Sequence, residues 1–428
     1  MKKYIKYIVI FFISFLLVFN VHAQDFPNIG SKNVILINMD NDDIIYEKSP
    51  NDKVLIASLT KIMTAIVAIE NIEDINQKFV VTSNMISGIT DDYVKVGFKS
   101  GDVVSYNDVL NGILLKSGAD ATNIIAISTS SSIDAFVEKM NNKAKELNMK
   151  DTHFTNTIGM DNENHYSTAK DLSILLKYAY KNDTFKKVFT SSNYVTTDTK
   201  HNIDGPLKYI HNDEFKMDYV KGAKTGYTKA AGLCLASVSN YKGHNYILVV
   251  IGNDSENKKD YFYDSKNIYD YYFNNYDYIK ILEKNEIILK LKTQYDEKVE
   301  IKSKENVIRF IDKSIEKDDL TYEFDGNKIL KKGINKKDYI GTFYIKDKDK
   351  VLYETKIYSP LTVKMTFDYF INHNKIELIA LFILTILLII SLHKLLKNRK
   401  NRYRWYYVLF KLFFYFFYFW TFIWNHFI

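Results

Sequence analysis

Ser58-Leu59-Thr60-Lys61 runs directly into Ile62-Met63-Thr64-Ala65-Ile66-Val67-Ala68-Ile69, and the reading of this stretch governs what surrounds it. Residues three apart on a helix lie one above the other on one face, which brings the Lys61 amine beside the Ser58 hydroxyl. The following run is apolar nearly all round, so the pattern predicts a central, buried helix. Burial disfavours an ammonium and pushes the Lys61 pKa toward the range in which an amine deprotonates a serine. Alone, the pair also reads as a helix cap followed by a solvated charge.

Two further words give the pair companions. Gly222-Ala223-Lys224-Thr225-Gly226-Tyr227-Thr228 precedes Ala231-Gly232-Leu233-Cys234-Leu235-Ala236-Ser237-Val238, whose second half reads as a strand. A lysine, a hydroxyl and a glycine on an edge strand let a substrate backbone lie against the sheet while an ammonium meets its carboxylate. Between the outer words, Leu114-Leu115-Lys116-Ser117-Gly118-Ala119-Asp120-Ala121 joins two apolar helical stretches through a short turn that can point Ser117 into a cleft. Taken singly, Lys224-Thr225-Gly226 is a turn with a solvated lysine and Ser117-Gly118 a helix-to-helix turn. Together the words supply a nucleophile, its base, a second hydroxyl to relay protons and a cation, which is a complete acyl-transfer site.

With the words in this order, the chain resembles the serine D-alanyl-D-alanine carboxypeptidases, the low-molecular-mass penicillin-binding proteins, over roughly residues 26 to 360. The stretches His153-Phe154-Thr155-Asn156-Thr157-Ile158-Gly159-Met160 and His165-Tyr166-Ser167-Thr168-Ala169-Lys170-Asp171-Leu172 also resemble what that family carries between its second and third motifs. The resemblance implies an α+β, β-lactamase/transpeptidase-like catalytic domain. It implies Ser58 as nucleophile, Lys61 as base, Ser117 as proton relay and Lys224 with Thr225 as the carboxylate-binding pair, flanked by Gly226 and Tyr227. It places the oxyanion hole at the backbone amides of Ser58 and Tyr227, and makes His153 and His165 structural. The implied reaction attacks the peptide bond between two terminal D-alanines of a peptidoglycan stem peptide, and β-lactam antibiotics acylate the same serine.

One residue departs from the family pattern: the middle motif usually ends in asparagine, and this chain has Ala119 there. In the family that amide bonds the catalytic lysine and the substrate backbone. Losing a hydrogen bond to a charged group in a dry site costs roughly 1.5 to 3 kcal/mol, about one to two decades in rate. A slower carboxypeptidase, replacement of the amide by water or another side chain, and a non-catalytic wall-binding or scaffold protein all follow as readings. A serine β-lactamase uses the same three words, but no clear segment between Asp120 and Lys224 supplies a dedicated carboxylate for deacylation.

Composition fits an exported enzyme. Met1-Lys2-Lys3-Tyr4-Ile5-Lys6 is basic, Tyr7 to Phe19 is mostly apolar, and Val21-His22-Ala23 ends in a small residue suited to cleavage before Gln24, which marks residues 1–23 as a signal peptide. An uncleaved membrane anchor is the alternative. Cys234 is the only cysteine, which excludes an internal disulfide, and its apolar surroundings make it a core residue. No spacing of His, Cys, Asp or Glu reads as a zinc site, and no cofactor is called for. The net charge is +7, but Lys2, Lys3 and Lys6 and the six cations from Lys394 to Arg404 account for nine charges, which leaves the rest at −2. A nucleic-acid-binding surface is therefore not supported.

Asn33-Val34-Ile35-Leu36-Ile37-Asn38 and Asp43-Ile44-Ile45-Tyr46-Glu47 flank an Asn- and Asp-rich turn and read as a hairpin. Helical patterns then run to about Lys187, and strands return from Lys224 through His244-Asn245-Tyr246-Ile247-Leu248-Val249-Val250-Ile251. That order predicts an antiparallel sheet whose first and last segments pair across residues 24–277, with a helical block between them. From about Tyr278 the texture changes to short lysine- and aspartate-rich alternating strands, among them Asp338-Tyr339-Ile340-Gly341-Thr342, where the glycine can mark a bulge. Residues 278–364 read as a small β-domain that acts as a spacer.

The tail reads as membrane-associated. Ile376 to Leu392 is apolar apart from Glu377 and a few small hydroxyls, and reads as a transmembrane helix whose basic sequel, residues 393–404, marks the cytoplasmic end. The aromatic segment Trp405 to Trp424, interrupted by Lys411, either crosses back or lies in the interface. The expected protein is thus a membrane-anchored carboxypeptidase facing outward, with the lipid bilayer, stem peptides and β-lactams as its partners.

Overall fold

A computed structural model of the chain describes residues 26–397 together with Tyr407, Phe410, Lys411, Phe414, Tyr415, Phe417 and Tyr418. The expected signal peptide at 1–23 lies outside the described residues, as do residues 398–404 of the basic stretch and most of 405–424. The chain divides into two compact units, Met1–Asn274 and Asn275–Ile428.

The expected hairpin is present: β1 (Asn33–Asn38) pairs antiparallel with β2 (Ile44–Lys48). The chain then enters α1 (Thr60–Ile69) through a tight 3-10 turn, Ala57–Leu59. Two three-residue strands follow, β3 (Lys78–Val80) and β4 (Val103–Ser105), paired with each other. The helical block continues with α2 (Tyr106–Asn111), α3 (Ala119–Thr129), α4 (Ile133–Glu146), α5 (Ala169–Ala179) and α6 (Asp183–Phe189). Their starts are legible in side chains: Ser105, Ser132, Thr168 and Asn182 each accept a hydrogen bond from a backbone N–H in the first turn of the helix they cap. A short ladder of β5 (Asn193–Val195) and β6 (Asn202–Asp204) and the single turn of α7 (Leu207–Ile210) lead back to the sheet.

The last strands are β7 (Val220–Thr228), β8 (Gly232–Tyr241) and β9 (His244–Asn253), giving a five-stranded antiparallel sheet in the order β2-β1-β9-β8-β7. β1 lies against β9 with Ile35 opposite Val249, so the first and last segments close the domain across the helical block, as the sequence order predicts. Ala236, Val238, Val249 and Ile251 pack on one face with Ile62, Met63, Ile66 and Leu176 in a single core. The other face is covered by α8 (Asp260–Asn275), whose Tyr269 hydroxyl lies 3.0 Å from Ser237 Oγ. Coverage on both faces explains why β8 and β9 are buried almost throughout rather than on one face.

In the second unit, β10 (Tyr276–Leu282) pairs with β13 (Val307–Asp312), β11 (Ile287–Thr293) lies between β12 (Lys298–Lys302) and β15 (Ile329–Leu330), and β16 (Tyr339–Asp347) lies between β14 (Thr321–Gly326) and β17 (Lys350–Tyr358). Its core is two small clusters, one built from Ile281, Val307, Ile311, Phe343, Ile345 and Ile357 and the other from Leu291, Tyr295, Val299, Leu330 and Val363. The β16–β17 register shifts between Tyr339 and Gly341, so the strand glycine does sit at a bulge.

After the β-strands come α9 (Phe367–His373) and α10 (Lys375–Lys397), the latter spanning the expected transmembrane stretch with most of its described apolar side chains exposed. Among the described residues no single helix is long and apolar enough to cross a membrane. α9 and the Lys375–Ser391 part of α10, bent by 78° between them, satisfy length and composition only as a pair.

Candidate active site

The 3-10 turn before α1 carries Ser58, and Ala57 ahead of it takes a left-handed φ of +46°. A side chain there costs about 1 to 3 kcal/mol, a strain that persists only where surrounding contacts fix it. Lys61 lies one turn on, and its Nζ is 2.9 Å from Ser58 Oγ and donates to the Ile158 carbonyl at 2.6 Å. Its side chain is buried, and burial together with the nearby Lys224 ammonium holds its pKa well below the ordinary lysine value. The free amine is then accessible, and in that form the same contact lets Ser58 Oγ–H donate to Nζ.

Lys224 sits on β7, the edge strand, with its side chain fully buried and its Nζ donating to the Thr225 carbonyl at 2.8 Å. Burial lowers its pKa to about 7. Strand alternation sends Lys224 and Gly226 to one face and Thr225 and Tyr227 to the other. The first face meets the Ser58 turn: a Cβ on Gly226 would come within 3.0 Å of the Ser58 nitrogen. Thr225 opens instead onto a cleft of about 480 Å³, lined also by Leu115, Lys116, Tyr209, Phe215 and Lys258. Tyr227 is half exposed, with Lys258 Nζ 3.5 Å above its ring centroid.

Ser117 follows a wide π-type turn, Gly112–Lys116, and takes a left-handed φ of +66° before Gly118 opens α3. Its hydroxyl oxygen is buried and makes no hydrogen bond, so the relay expected of it is not connected to Lys61 or Lys224 in this structure. An unpaired buried hydroxyl costs about 1 to 3 kcal/mol. Ala119 is buried, its N–H donating to the Val94 carbonyl at 2.8 Å.

Three residues the sequence reading gave no role hold these groups in place. The Asp120 carboxylate accepts the backbone N–H groups of Val96, Gly97 and Phe98 at 2.9, 2.7 and 3.1 Å, which fastens the 94–98 loop over the Ser117 turn. Asn156 Oδ1 accepts those of Ile158, Gly159 and Met160 at 3.2, 2.8 and 2.9 Å and shapes the loop whose Ile158 carbonyl takes Lys61. Gly159, at φ +84°, lies so close to Ala57 that only a glycine fits. The signals were present but weak: an Asp in a first helical turn, and an Asn a few residues before a Gly.

His153 is exposed, its Nδ1 2.6 Å from the Asn164 carbonyl, and His165 is buried against Thr60. Among the described residues no group of three or more His, Cys, Asp or Glu side chains is placed to hold a metal ion. Cys234 lies fully buried in β8, and burial pushes its thiol up to about 12, far from a nucleophile's range.

A Ser–Lys pair at the mouth of a buried helix, facing a lysine on the edge of an antiparallel sheet, defines the penicillin-binding, transpeptidase-like α+β class. Known proteins agree. Residues 20–255 match the D-alanyl-D-alanine carboxypeptidase family, more than half of the chain. The chain is 28% identical over 335 residues to D-alanyl-D-alanine carboxypeptidase DacF of Bacillus subtilis, covering 76% of this chain and 84% of that one. It is 31% identical over 238 residues to D-alanyl-D-alanine carboxypeptidase DacD of Escherichia coli, covering 54% and 60%. Among solved structures, the D-alanyl-D-alanine carboxypeptidase DacD from Francisella tularensis shares the fold with a TM-score of 0.64 at 23% identity, covering 77% of this chain and 93% of that one. The chain belongs to the D-alanyl-D-alanine carboxypeptidase family, whose members are serine-type hydrolases.

Proposed function

We propose that Ser58 is the nucleophile of a D-alanyl-D-alanine carboxypeptidase acting on peptidoglycan stem peptides, and that β-lactams acylate it. The observation that carries this is the 2.9 Å contact of Ser58 Oγ with a lysine whose ammonium form is disfavoured by burial. Ser58 Oγ attacks the carbonyl of the penultimate D-alanine while its proton passes to Lys61 Nζ. The backbone amides of Ser58 and Tyr227 receive the developing oxyanion. The proton held on Lys61 Nζ passes to the departing nitrogen so that the terminal D-alanine leaves as an amine, with Ser117 Oγ, unbonded in this structure, taking up its relay role once substrate reaches it, and water then hydrolyses the Ser58 ester. Of the expected carboxylate-binding pair, Thr225 opens onto the cleft and can meet the carboxylate directly, while Lys224, buried on the other face of β7, contributes its charge; Gly226 lets strand and nucleophile turn approach. No cofactor enters.

The test is a time course of intact mass for the protein mixed with a penicillin, with Ser58→Ala beside it. An adduct on the wild type alone that persists for many minutes is expected. If no adduct forms and the drug is not consumed, Ser58 is not a working nucleophile; if the drug is consumed without an adduct, the enzyme turns it over as a β-lactamase.

Ala119 favours a slower enzyme of the same kind over an inert one, because Ser58, Lys61, Ser117 and Lys224 are all present. Ala119→Asn is expected to leave D-alanine release equal or to raise it by up to about 10- to 100-fold, the worth of one charged hydrogen bond. A large loss in that variant would mean that the site has been rebuilt around alanine.

The family acts on the cell wall outside the cytoplasm. The exposed apolar surface of α10, beyond a β-rich unit suited to a spacer, supports a C-terminal membrane anchor. Protease protection of a C-terminal tag in intact cells tests it.

A further inference from the structure

His165 is remote from Ser58 in sequence and absent from the chemistry above, yet its buried ring ends against the nucleophile turn. The Thr155 N–H donates to Nδ1 at 3.1 Å, so Nδ1 is the bare nitrogen and Nε2 carries the proton. Nε2 lies 2.8 Å from Thr60 Oγ1. That oxygen is an acceptor there, because the Thr60 hydroxyl donates its own proton to the Ala57 carbonyl at 2.8 Å. The chain of bonds therefore has one direction, from the Thr155 amide through ring and hydroxyl to the carbonyl that precedes Ser58.

We propose that His165 is a positioning residue for Ser58: through Thr60 it grips the Ala57 carbonyl and so holds the left-handed turn that aims the serine hydroxyl at Lys61. The anchor behind the ring is firm. Two residues on, Ser167 exchanges both backbone hydrogen bonds with Val54, at 2.9 and 3.1 Å, which ties the His165 segment to the extended stretch leading into the nucleophile turn. The same segment, through Ile158, also holds the other member of the pair, Lys61. Burial, with His153 and Lys61 nearby, lowers the His165 pKa to about 4, so the tautomer that makes these bonds persists at neutral pH. The ring's hydrogen bonds go to Thr60, Thr155 and Asn156 rather than to Ser58, and its action is on geometry alone.

This rests on Ser58 being the nucleophile, and the test separates the two. Penicillin acylation is followed by intact mass on the full chain, per folded molecule, with kcat and KM measured on an acyl-D-alanyl-D-alanine peptide. Thr60→Val keeps the shape and removes the hydroxyl; acylation and kcat are expected to fall about 10- to 100-fold with KM within about twofold, the cost of a misplaced nucleophile. Thr60→Ser, which restores the hydroxyl, is expected to recover to within about threefold of wild type. His165→Met fills the space without a donor and should match Thr60→Val, whereas His165→Gln, whose amide can donate to Thr60, should recover; this pair decides the matter if Thr60→Val does not fold. Equal rates for Thr60→Val and wild type, or for the Met and Gln variants, overturn the proposal while leaving the nucleophile intact. A wild type without a Ser58 adduct removes the underlying reading and the proposal together.

Discussion

Lys61→Met will fold, melt at a higher temperature than the wild type at neutral pH, and acylate with penicillin about 100- to 10,000-fold more slowly. The loss of rate follows from removing the group proposed to take the Ser58 proton, since a serine hydroxyl at its ordinary pKa is a weak nucleophile. The gain in stability follows from the same burial. An ammonium in a dry site beside a second lysine carries a desolvation penalty of several kcal/mol, larger than the roughly 1 to 3 kcal/mol lost when the Ile158 carbonyl loses its donor. The pH dependence has a definite sign. The folded pKa of Lys61 lies below its unfolded value, so the unfolded chain binds more protons and wild-type stability rises with pH until the unfolded lysine titrates, near 10.5. The advantage of Lys61→Met therefore shrinks as pH rises toward that value. In the wild type, acylation falls as acid protonates Lys61, and on the alkaline side it falls as Lys224, at about 7 when no carboxylate is bound, loses its charge. Melting curves and acylation rates from pH 5 to 10 check both halves; a variant less stable than wild type at neutral pH would mean that the Lys61 ammonium is well compensated, and the account of its lowered pKa would fail.

The architecture was readable where the chain states it locally. The hairpin of β1 and β2 shows as two apolar runs around an Asn- and Asp-rich turn, and the pairing of β1 with β9 follows from strands that enclose a helical block. The helix α8 went unread because Asp260–Asn275 is dominated by Tyr, Phe, Asp and Asn, residues of modest helix propensity, and its buried face, with Phe262, Tyr269 and Phe273, is aromatic rather than aliphatic. The ladders β3–β4 and β5–β6 have three residues per strand, too few for a period of two to declare itself.

The site divides in the same way. Ser58 and Lys61 are one helical turn apart, so their contact is written in the spacing, and Lys224 with Gly226 is written in strand alternation. What the sequence withholds is what holds them. Ile158 reaches Lys61 across 97 positions and His165 reaches Thr60 across 105, and no periodicity links residues so far apart. The orphaned state of Ser117 Oγ is likewise a property of the folded turn, set by a positive φ that a Ser-Gly pair permits but does not announce.

Gly159→Ala is the second change with a large expected effect, and its mechanism is steric. A Cβ at this position would stand 1.9 Å from the Ala57 carbonyl oxygen, 2.4 Å from its carbon and 3.0 Å from the Ser58 nitrogen, all backbone atoms that no rotamer change can clear. The residue also holds φ at +84°, which opposes any side chain. Either the 156–160 loop withdraws and takes the Ile158 carbonyl off Lys61, or the Ala57 turn gives way and Ser58 loses its aim; both routes break the Ser58–Lys61 geometry. Overpacking and backbone strain together cost about 4 kcal/mol, which lowers the melting temperature of a domain this size by about 10 °C. Acylation of the molecules that remain folded is expected to drop about 100-fold or more, the cost of displacing a reacting atom by about an ångström. Gly243→Ala is the matched control: it carries nearly the same φ, +86°, in the turn between β8 and β9, but nothing lies within 4 Å of its Cβ. That variant should lose only the strain of about 1 to 2 kcal/mol and acylate at the wild-type rate. If the two alanines behaved alike in acylation, the 156–160 loop would not be packed on the Ala57–Ser58 turn, and the placement of Lys61 by Ile158 would have to be abandoned with it.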